Sequence, residues 1–157
     1  MADFMQIPFS QITDEHYQLL LLADPDMDAI NSYLQQSRLY EWRMDGILFA
    51  LFVLTVADPA TIELKNIAVK EDQQGKGYGK YSLAESLKTA MGLGYRSMIV
   101  GTCNSSISQL YLYQQAGFEI YDIRYNFFTE HYRNPITEQG IPCKHMLMLR
   151  KALQPAP

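Results

Sequence analysis

The stretch Glu63-Leu-Lys-Asn-Ile-Ala-Val69, followed at once by Gln73-Gln-Gly-Lys-Gly-Tyr-Gly-Lys80, constrains this chain more than any other. An apolar strand runs into a glycine-rich turn, and the turn opens a helix expected over Tyr78 to Met91. Gly75, Gly77 and Gly79 alternate, so backbone N–H groups can converge there without interference from Cβ atoms. The N-terminus of the helix adds partial positive charge, and Lys76 and Lys80 add full charges. Such a turn suits a phosphorylated ligand. The bland alternative is a strand-to-helix turn that binds nothing.

Spacing sorts the ligands. A Walker loop needs four residues between its glycines and a Ser or Thr after the lysine; here three residues separate Gly75 from Gly79, and Tyr81 follows Lys80. A dinucleotide fingerprint needs G-x-G-x-x-G and an acidic residue about 20 positions on, where this chain has the apolar Met98-Ile-Val-Gly101. Neither fits. The remaining pattern, Gln74-x-x-Gly77-x-Gly79 after a strand ending Ile67-Ala-Val69, resembles the pyrophosphate-binding motif of the GNAT superfamily of acyl-CoA-dependent N-acetyltransferases, in its single-domain bacterial form.

A second segment, Asn104 to Phe118, is similar to the other signature of that superfamily, an Asn-led helix ending in Leu-x-Tyr-x-x-x-Gly-Phe. Taken alone it is a helix. Asn104, Ser105 or Ser106 can cap it, Ile107, Leu110, Tyr111 and Ala116 fall near helical spacing, and Gly117 stops it. Tyr113 by itself reads as a core aromatic, but the resemblance implies that it protonates the departing thiolate. The pattern departs from the family at one point. Ser106 stands seven residues before Tyr113, where most relatives carry the pantetheine-contacting Asn, and Asn104 stands nine before. The contact therefore falls to Asn104 or to Ser106.

The 157 residues make a single domain, large enough to bury about two-thirds of its unfolded surface. The unit is expected over 1–152, with 153–157 as a flexible tail. Hydrophobic residues at 48% and charged residues at 19% mark a globular chain. A net charge of −4 without a basic stripe argues against nucleic acid and anionic membrane as partners. Cys103 and Cys143 form neither a metal spacing nor a disulfide framework, and are read as reduced thiols in a cytoplasmic protein. His131 and His145 lack partners at ligand spacing, so no metal is expected, and His16 is read as a solvated residue of a polar helix face. The N-terminus has no signal-like core, and the longest apolar run, Ile47 to Ala57, is too short to span a bilayer.

Along the chain, a strand within Met5–Ile12 precedes a helix capped by Asp14 over His16–Leu22, and a second helix follows near Met27–Gln36. Leu39–Met44 and Ile47–Val56 form a hairpin about Asp45-Gly46, and a strand Thr61–Lys70 follows. After the long helix come a strand Ser97–Thr102, the Asn104 helix, a strand near Glu119–Phe128, a loop around 134–142 and a last strand Lys144–Leu149. The class is α/β (α+β). The resemblance, covering about residues 38–150, implies a mixed sheet of about seven strands with antiparallel strands first, a splayed parallel pair at the centre, and about four helices.

It also implies a site. Acetyl-CoA would lie between the strands ending at Val69 and Thr102, its pantetheine arm pairing with the backbone of Ile67, Ala68 and Val69. Its pyrophosphate would rest on Gln74, Gly75, Lys76, Gly77, Tyr78, Gly79 and Lys80. A backbone N–H at or beside Val69 would polarise the carbonyl, and Tyr113 would supply the proton. Glu63 leads as general base, with a water relay as the alternative; strand alternation groups it with Lys65, Ile67 and Val69. Tyr125, Asn126, Phe127, Phe128, Glu130, His131, Tyr132 and Glu138 offer aromatic and carboxylate contacts to a cationic amine, or else strand-end packing or a dimer surface. Glu41 and Trp42 are further acceptor candidates. The implied activity is transfer of acetyl from acetyl-CoA to a primary amine of a small molecule, or less readily of a peptide or protein, by direct attack in a ternary complex. The alternative is a non-catalytic acyl-CoA sensor of the same fold. A homodimer is left open.

Overall fold

The structure is a computed structural model describing residues 3–154. Strand β1 (Met5–Ile7) stops at Pro8, which has no N–H to donate to the ladder, and the expected strand continues as a 3₁₀ turn at Phe9–Gln11. Thr13, not Asp14, caps helix α1 (Asp14–Ala23) in a capping box with His16. Asp26 caps α2 (Met27–Leu34) by accepting from the Ala29 amide at 3.0 Å. Asp45 and Gly46 have positive φ, 51° and 79°, as a two-residue hairpin between β2 (Arg38–Met44) and β3 (Ile47–Asp58) requires.

Strand β4 (Thr61–Val69), helix α3 (Tyr78–Gly92), strand β5 (Ser97–Cys103) and helix α4 (Ile107–Gln115) follow in the expected order. Strand β6 (Glu119–Arg124) is shorter than expected. Asn126 turns into the left-handed region at φ 59°, which Asn tolerates, and the aromatic run folds as a short helix, α5 (Phe127–His131). A small hairpin, β7 (Thr137–Glu138) and β8 (Ile141–Pro142), precedes β9 (Met146–Ala152). The main sheet runs β1-β2-β3-β4-β5-β9-β6, with β4 and β5 as its parallel pair and antiparallel neighbours elsewhere. The seven-strand mixed sheet is the one expected; the described helices number five, α5 being the addition.

Alternate residues of the central strands feed two cores. Phe52, Leu54, Ile62 and Leu64 pack against Leu83 of α3 and Tyr113 of α4, while Leu51, Val53 and Ala68 pack against Leu20 of α1 and Ile30 of α2. Within β4 the alternation breaks at one residue. Val53 pairs with Asn66 but Leu54 pairs with Leu64, so Lys65 bulges out of the ladder. Glu63 and Lys65 are thereby parted from Ile67 and Val69. This corrects the expectation that all four share a face: Ile67 packs with the α3 and α4 core, and Glu63 turns toward α1 and α2.

The parallel pairing of β4 with β5 runs only from Thr61–Ser97 to Leu64–Val100, then the strands separate. Beyond it, β4 from Lys65 to Val69 keeps β3 on one side and opens a wedge on the other. At the chain end, Leu153 is buried and its amide donates to the Arg96 carbonyl at 2.8 Å. Residues 155–157 of the expected tail lie outside the described residues. Cys103 and Cys143 are joined in a disulfide, Cα to Cα 5.8 Å, which corrects their reading as reduced thiols. Pairing of β5 with β9 sets Cys103 opposite Met146 and so brings together two residues 40 apart in sequence. Among the described residues no helix is long and apolar enough to cross a membrane.

Candidate active site

Two adjoining cavities fill the wedge and share Leu22, Ala23, Ile67 and Gln109 in their walls. The smaller, about 340 Å³, is lined by Ala68, Val69, Gln74, Gly75, Gly79 and Leu112. Gly75 and Gly77 sit at φ 77° and 87°, in the left-handed region that glycine enters without strain, and Gly77 caps α3. The first turn of α3 holds no acidic residue to compete with an anion. Gln74 Nε2 donates to the Val69 carbonyl at 3.0 Å, tying the turn to the end of the strand. Lys76 and Lys80 are exposed beside it, with Lys76 Nζ 3.2 Å from Gln73 Oε1. Tyr78 packs its ring against Trp42 and Phe49 beneath the turn. Trp42 therefore lies outside the expected acceptor site.

The larger cavity, about 590 Å³, holds Tyr113. Its ring meets Phe118 edge-on at 5.7 Å, and among the described residues its hydroxyl takes no hydrogen bond. Burial raises its pKa well above the ordinary 10, so the phenol stays neutral. Glu63 and Ser106 also line this cavity; Glu63 Oε2 lies 3.5 Å from Lys65 Nζ, and Ser106 donates to Glu138 at 2.8 Å. Asn104 is engaged elsewhere. Its Oδ1 accepts from the Lys144 and His145 amides at 2.8 and 2.9 Å, and its Nδ2 donates to the Pro142 carbonyl at 3.1 Å.

The aromatic segment divides. Phe127, Phe128, His131 and Tyr132 line the larger cavity, as does Glu138 from the small hairpin. Tyr125 meets the His145 ring edge-on and is 68% exposed, away from it. Glu41 also departs from the acceptor role: it accepts from His16 at 2.7 Å and pairs with Arg43 at 3.1 Å. His16 is buried, not solvated. Its Nδ1 accepts from the Thr13 amide at 3.0 Å, which leaves the proton on Nε2 for Glu41.

Asp24 is the residue that sequence reasoning missed. It ends α1, and its carboxylate accepts from the hydroxyls of Tyr132 and of Tyr33, the latter at 3.3 Å. Asn66 Nδ2 in turn donates to Tyr33 Oη at 3.2 Å and to the Leu20 carbonyl at 3.1 Å, while Asn66 Oδ1 is buried without a partner among the described residues. Burial raises the Asp24 pKa above 3.8, with the two phenol hydrogen bonds opposing it. Asp24-Pro25 reads in sequence only as a helix breaker, and no spacing links it to Tyr132, 108 positions on.

Residues 5–118 match the profile of the "Acetyltransferase (GNAT) family". The chain is 43% identical over 139 residues to YvbK of Bacillus subtilis (strain 168), described as an uncharacterized N-acetyltransferase, with 88% of this chain and 90% of YvbK covered. It superposes on a GNAT family acetyltransferase from Elizabethkingia anophelis with acetyl-CoA bound, with a TM-score of 0.91 and 39% identity over 97% of this chain and 98% of that one. A Bacillus subtilis acetyltransferase in complex with CoA gives a TM-score of 0.91 and 40% identity over 98% and 100% of the two chains. The sheet with its splayed parallel pair, the glycine turn and these likenesses converge: the chain belongs to the GNAT family and is an acetyltransferase.

Proposed function

We propose that the protein transfers acetyl from acetyl-CoA to the primary amine of a small molecule by direct attack in a ternary complex. The observation that carries this reading is the unpartnered Tyr113 hydroxyl, in a cavity that continues on one side to the glycine turn and on the other to buried carboxylate and amide groups. The pyrophosphate rests on the backbone from Gln74 to Lys80, and the pantetheine arm runs along the free edge of Ile67, Ala68 and Val69. Ser106, not the already committed Asn104, is the polar contact near the thiol end. The cavity volume of about 590 Å³ suits a small molecule, and a protein acceptor would have to thread past α5 and the β7–β8 hairpin.

The acceptor enters beside Asp24, Asn66 and Glu63. The Glu63 carboxylate, 3.5 Å from Lys65 Nζ, lines the same cavity and offers an acceptor that orients the amine through its N–H groups. Asp24, whose affinity for a proton is raised by burial, accepts the proton. The neutral amine attacks the thioester carbonyl carbon, with the Val69 region polarising the oxygen. As the C–S bond breaks, the thiolate receives the hydrogen bond and then the proton of Tyr113. A phenol with a raised pKa can serve because the thiolate it faces is desolvated too, which raises the thiol pKa in the same direction.

Tyr113→Phe is expected to leave acetyl-CoA affinity nearly unchanged and to slow transfer by ~10²–10⁴-fold. Calorimetry paired with a thiol-release assay over amines, polyamines, aminoglycosides, amino acids and peptides checks both. Tight acetyl-CoA binding without thiol release over the whole panel would favour the sensor reading instead.

A further inference from the structure

The Cys103–Cys143 disulfide stands in the wall of the larger cavity, the one that holds Tyr113. Both residues are almost wholly buried, at 4% and 5% exposure. A thiol in bulk solvent therefore reaches these sulfurs poorly, and the cavity is the approach. On the acyl-CoA reading, on which this inference rests, each turnover releases the CoA sulfur into that cavity as a thiolate, ahead of its protonation by Tyr113. We propose that the disulfide is a second reactive centre, opened by the CoA thiolate in thiol–disulfide exchange that leaves CoA joined to Cys143.

The step balances without an outside oxidant. A CoA sulfur–Cys143 Sγ bond forms, the Cys143–Cys103 bond breaks, and Cys103 departs with the electron pair as a thiolate. The surroundings favour Cys103 as the leaving sulfur. Ser105 Oγ lies 3.3 Å from Cys103 Sγ and 3.3 Å from Glu138 Oε1, and its one proton can turn to either. Ser106 already satisfies Glu138 at 2.8 Å, which frees the Ser105 hydroxyl for the sulfur. A hydrogen bond to the departing thiolate lowers its basicity, and a less basic sulfur leaves faster. The adduct fills the cofactor site, so the product of the reaction converts the enzyme into an inactive form that a reducing thiol restores.

The test uses full-length wild-type protein isolated without reductant. It is incubated with CoA, quenched with iodoacetamide, and examined by intact mass and peptide mapping. One CoA per chain on Cys143, with the alkyl group on Cys103, is the expected result. The adduct should form at least about tenfold faster than with glutathione at equal concentration, because binding raises the effective concentration of the thiol. Acetyl transfer should fall in step with adduct formation and return with dithiothreitol. Cys143→Ala should give no adduct, and if that variant fails to fold, the wild-type peptide map decides. An isolated protein without the disulfide, CoA found on Cys103, or glutathione reacting as fast as CoA would each overturn the proposal. Saturating CoA binding, seen by thermal shift, with transfer intact and no adduct would overturn this inference alone. No CoA binding would overturn it together with the reading it rests on.

Discussion

At Asp24 a carboxylate is withdrawn from water at the end of α1 and held by the hydroxyls of Tyr33 and Tyr132. Burial outweighs those hydrogen bonds, and the folded protein holds the Asp24 proton more tightly than the unfolded chain does. By linkage, the stability Asp24 contributes is full below its unfolded value of 3.8 and is lost as pH rises through the raised folded value. Asn does not titrate. The melting temperature of wild type minus that of Asp24→Asn should therefore favour wild type most near pH 3.5 and decline steadily toward pH 7. The exposed Asp72, with a lowered pKa, is present in both proteins and cancels, whereas Asp26 acts on Asp24 by like charge and so belongs to the difference being measured. The same substitution should lower kcat by ~10²–10⁴-fold if Asp24 takes the amine proton. A melting difference flat across this pH range would show that Asp24 is not perturbed as described.

Among the elements, the end of β5 does more than bound the cofactor wedge. Asn104 follows it and holds the incoming segment of β9 through the Lys144 and His145 amides, while its own amide accompanies them by donating to the His145 carbonyl at 3.0 Å. Asn104→Ala removes an acceptor shared by two backbone N–H groups and is expected to cost about 1–2 kcal/mol in denaturant unfolding. Acetyl-CoA affinity should change little, since Ser106 and not Asn104 lines the cavity. A large loss of affinity without a loss of stability would return Asn104 to the pantetheine contact that the resemblance first suggested. What could be seen in the sequence is local in the same sense. Asp45-Gly46, the strand into Gly75–Gly79, and the helix of the Asn104–Phe118 segment depend on neighbours along the chain, and each forms, the last of them capped at Ser106. The bulge at Lys65 was illegible because the shift arises in the pairing of β3 with β4, not in the composition of either strand. Asp24 with Tyr132, and Cys103 with Cys143, meet only once the sheet has closed with β9 between β5 and β6. The site was thus readable at its phosphate end, built on one β-turn-α unit, and hidden at its acceptor end, assembled from distant segments.

For the whole molecule, the wedge is also a seam. Strands β1 to β4 form one half of the sheet, and β5, β9 and β6 the other; the halves share backbone pairing only from Thr61–Ser97 to Leu64–Val100. Past Leu64, β4 and β5 no longer pair with each other, and α3 and α4 pack side chains against both halves. An acyl-CoA whose pantetheine arm pairs with Ile67 to Val69 acts as the missing strand, so binding and fold stability are coupled through the same backbone groups. At a concentration a hundredfold above Kd, acetyl-CoA should stabilise the protein by about 2.7 kcal/mol. Hydrogen exchange should localise that gain. Amides of residues 65–69, the glycine turn at 74–79 and the end of β5 near Gly101 should slow strongly, while β1, β2 and the exposed edge strand β6 should slow only as far as global unfolding is suppressed. Lys65→Ala leaves the bulged backbone in place and should preserve this pattern. A ligand that stabilised the chain without protecting residues 65–69 would be bound elsewhere, and the seam would then be a feature of the fold with no part in holding the cofactor.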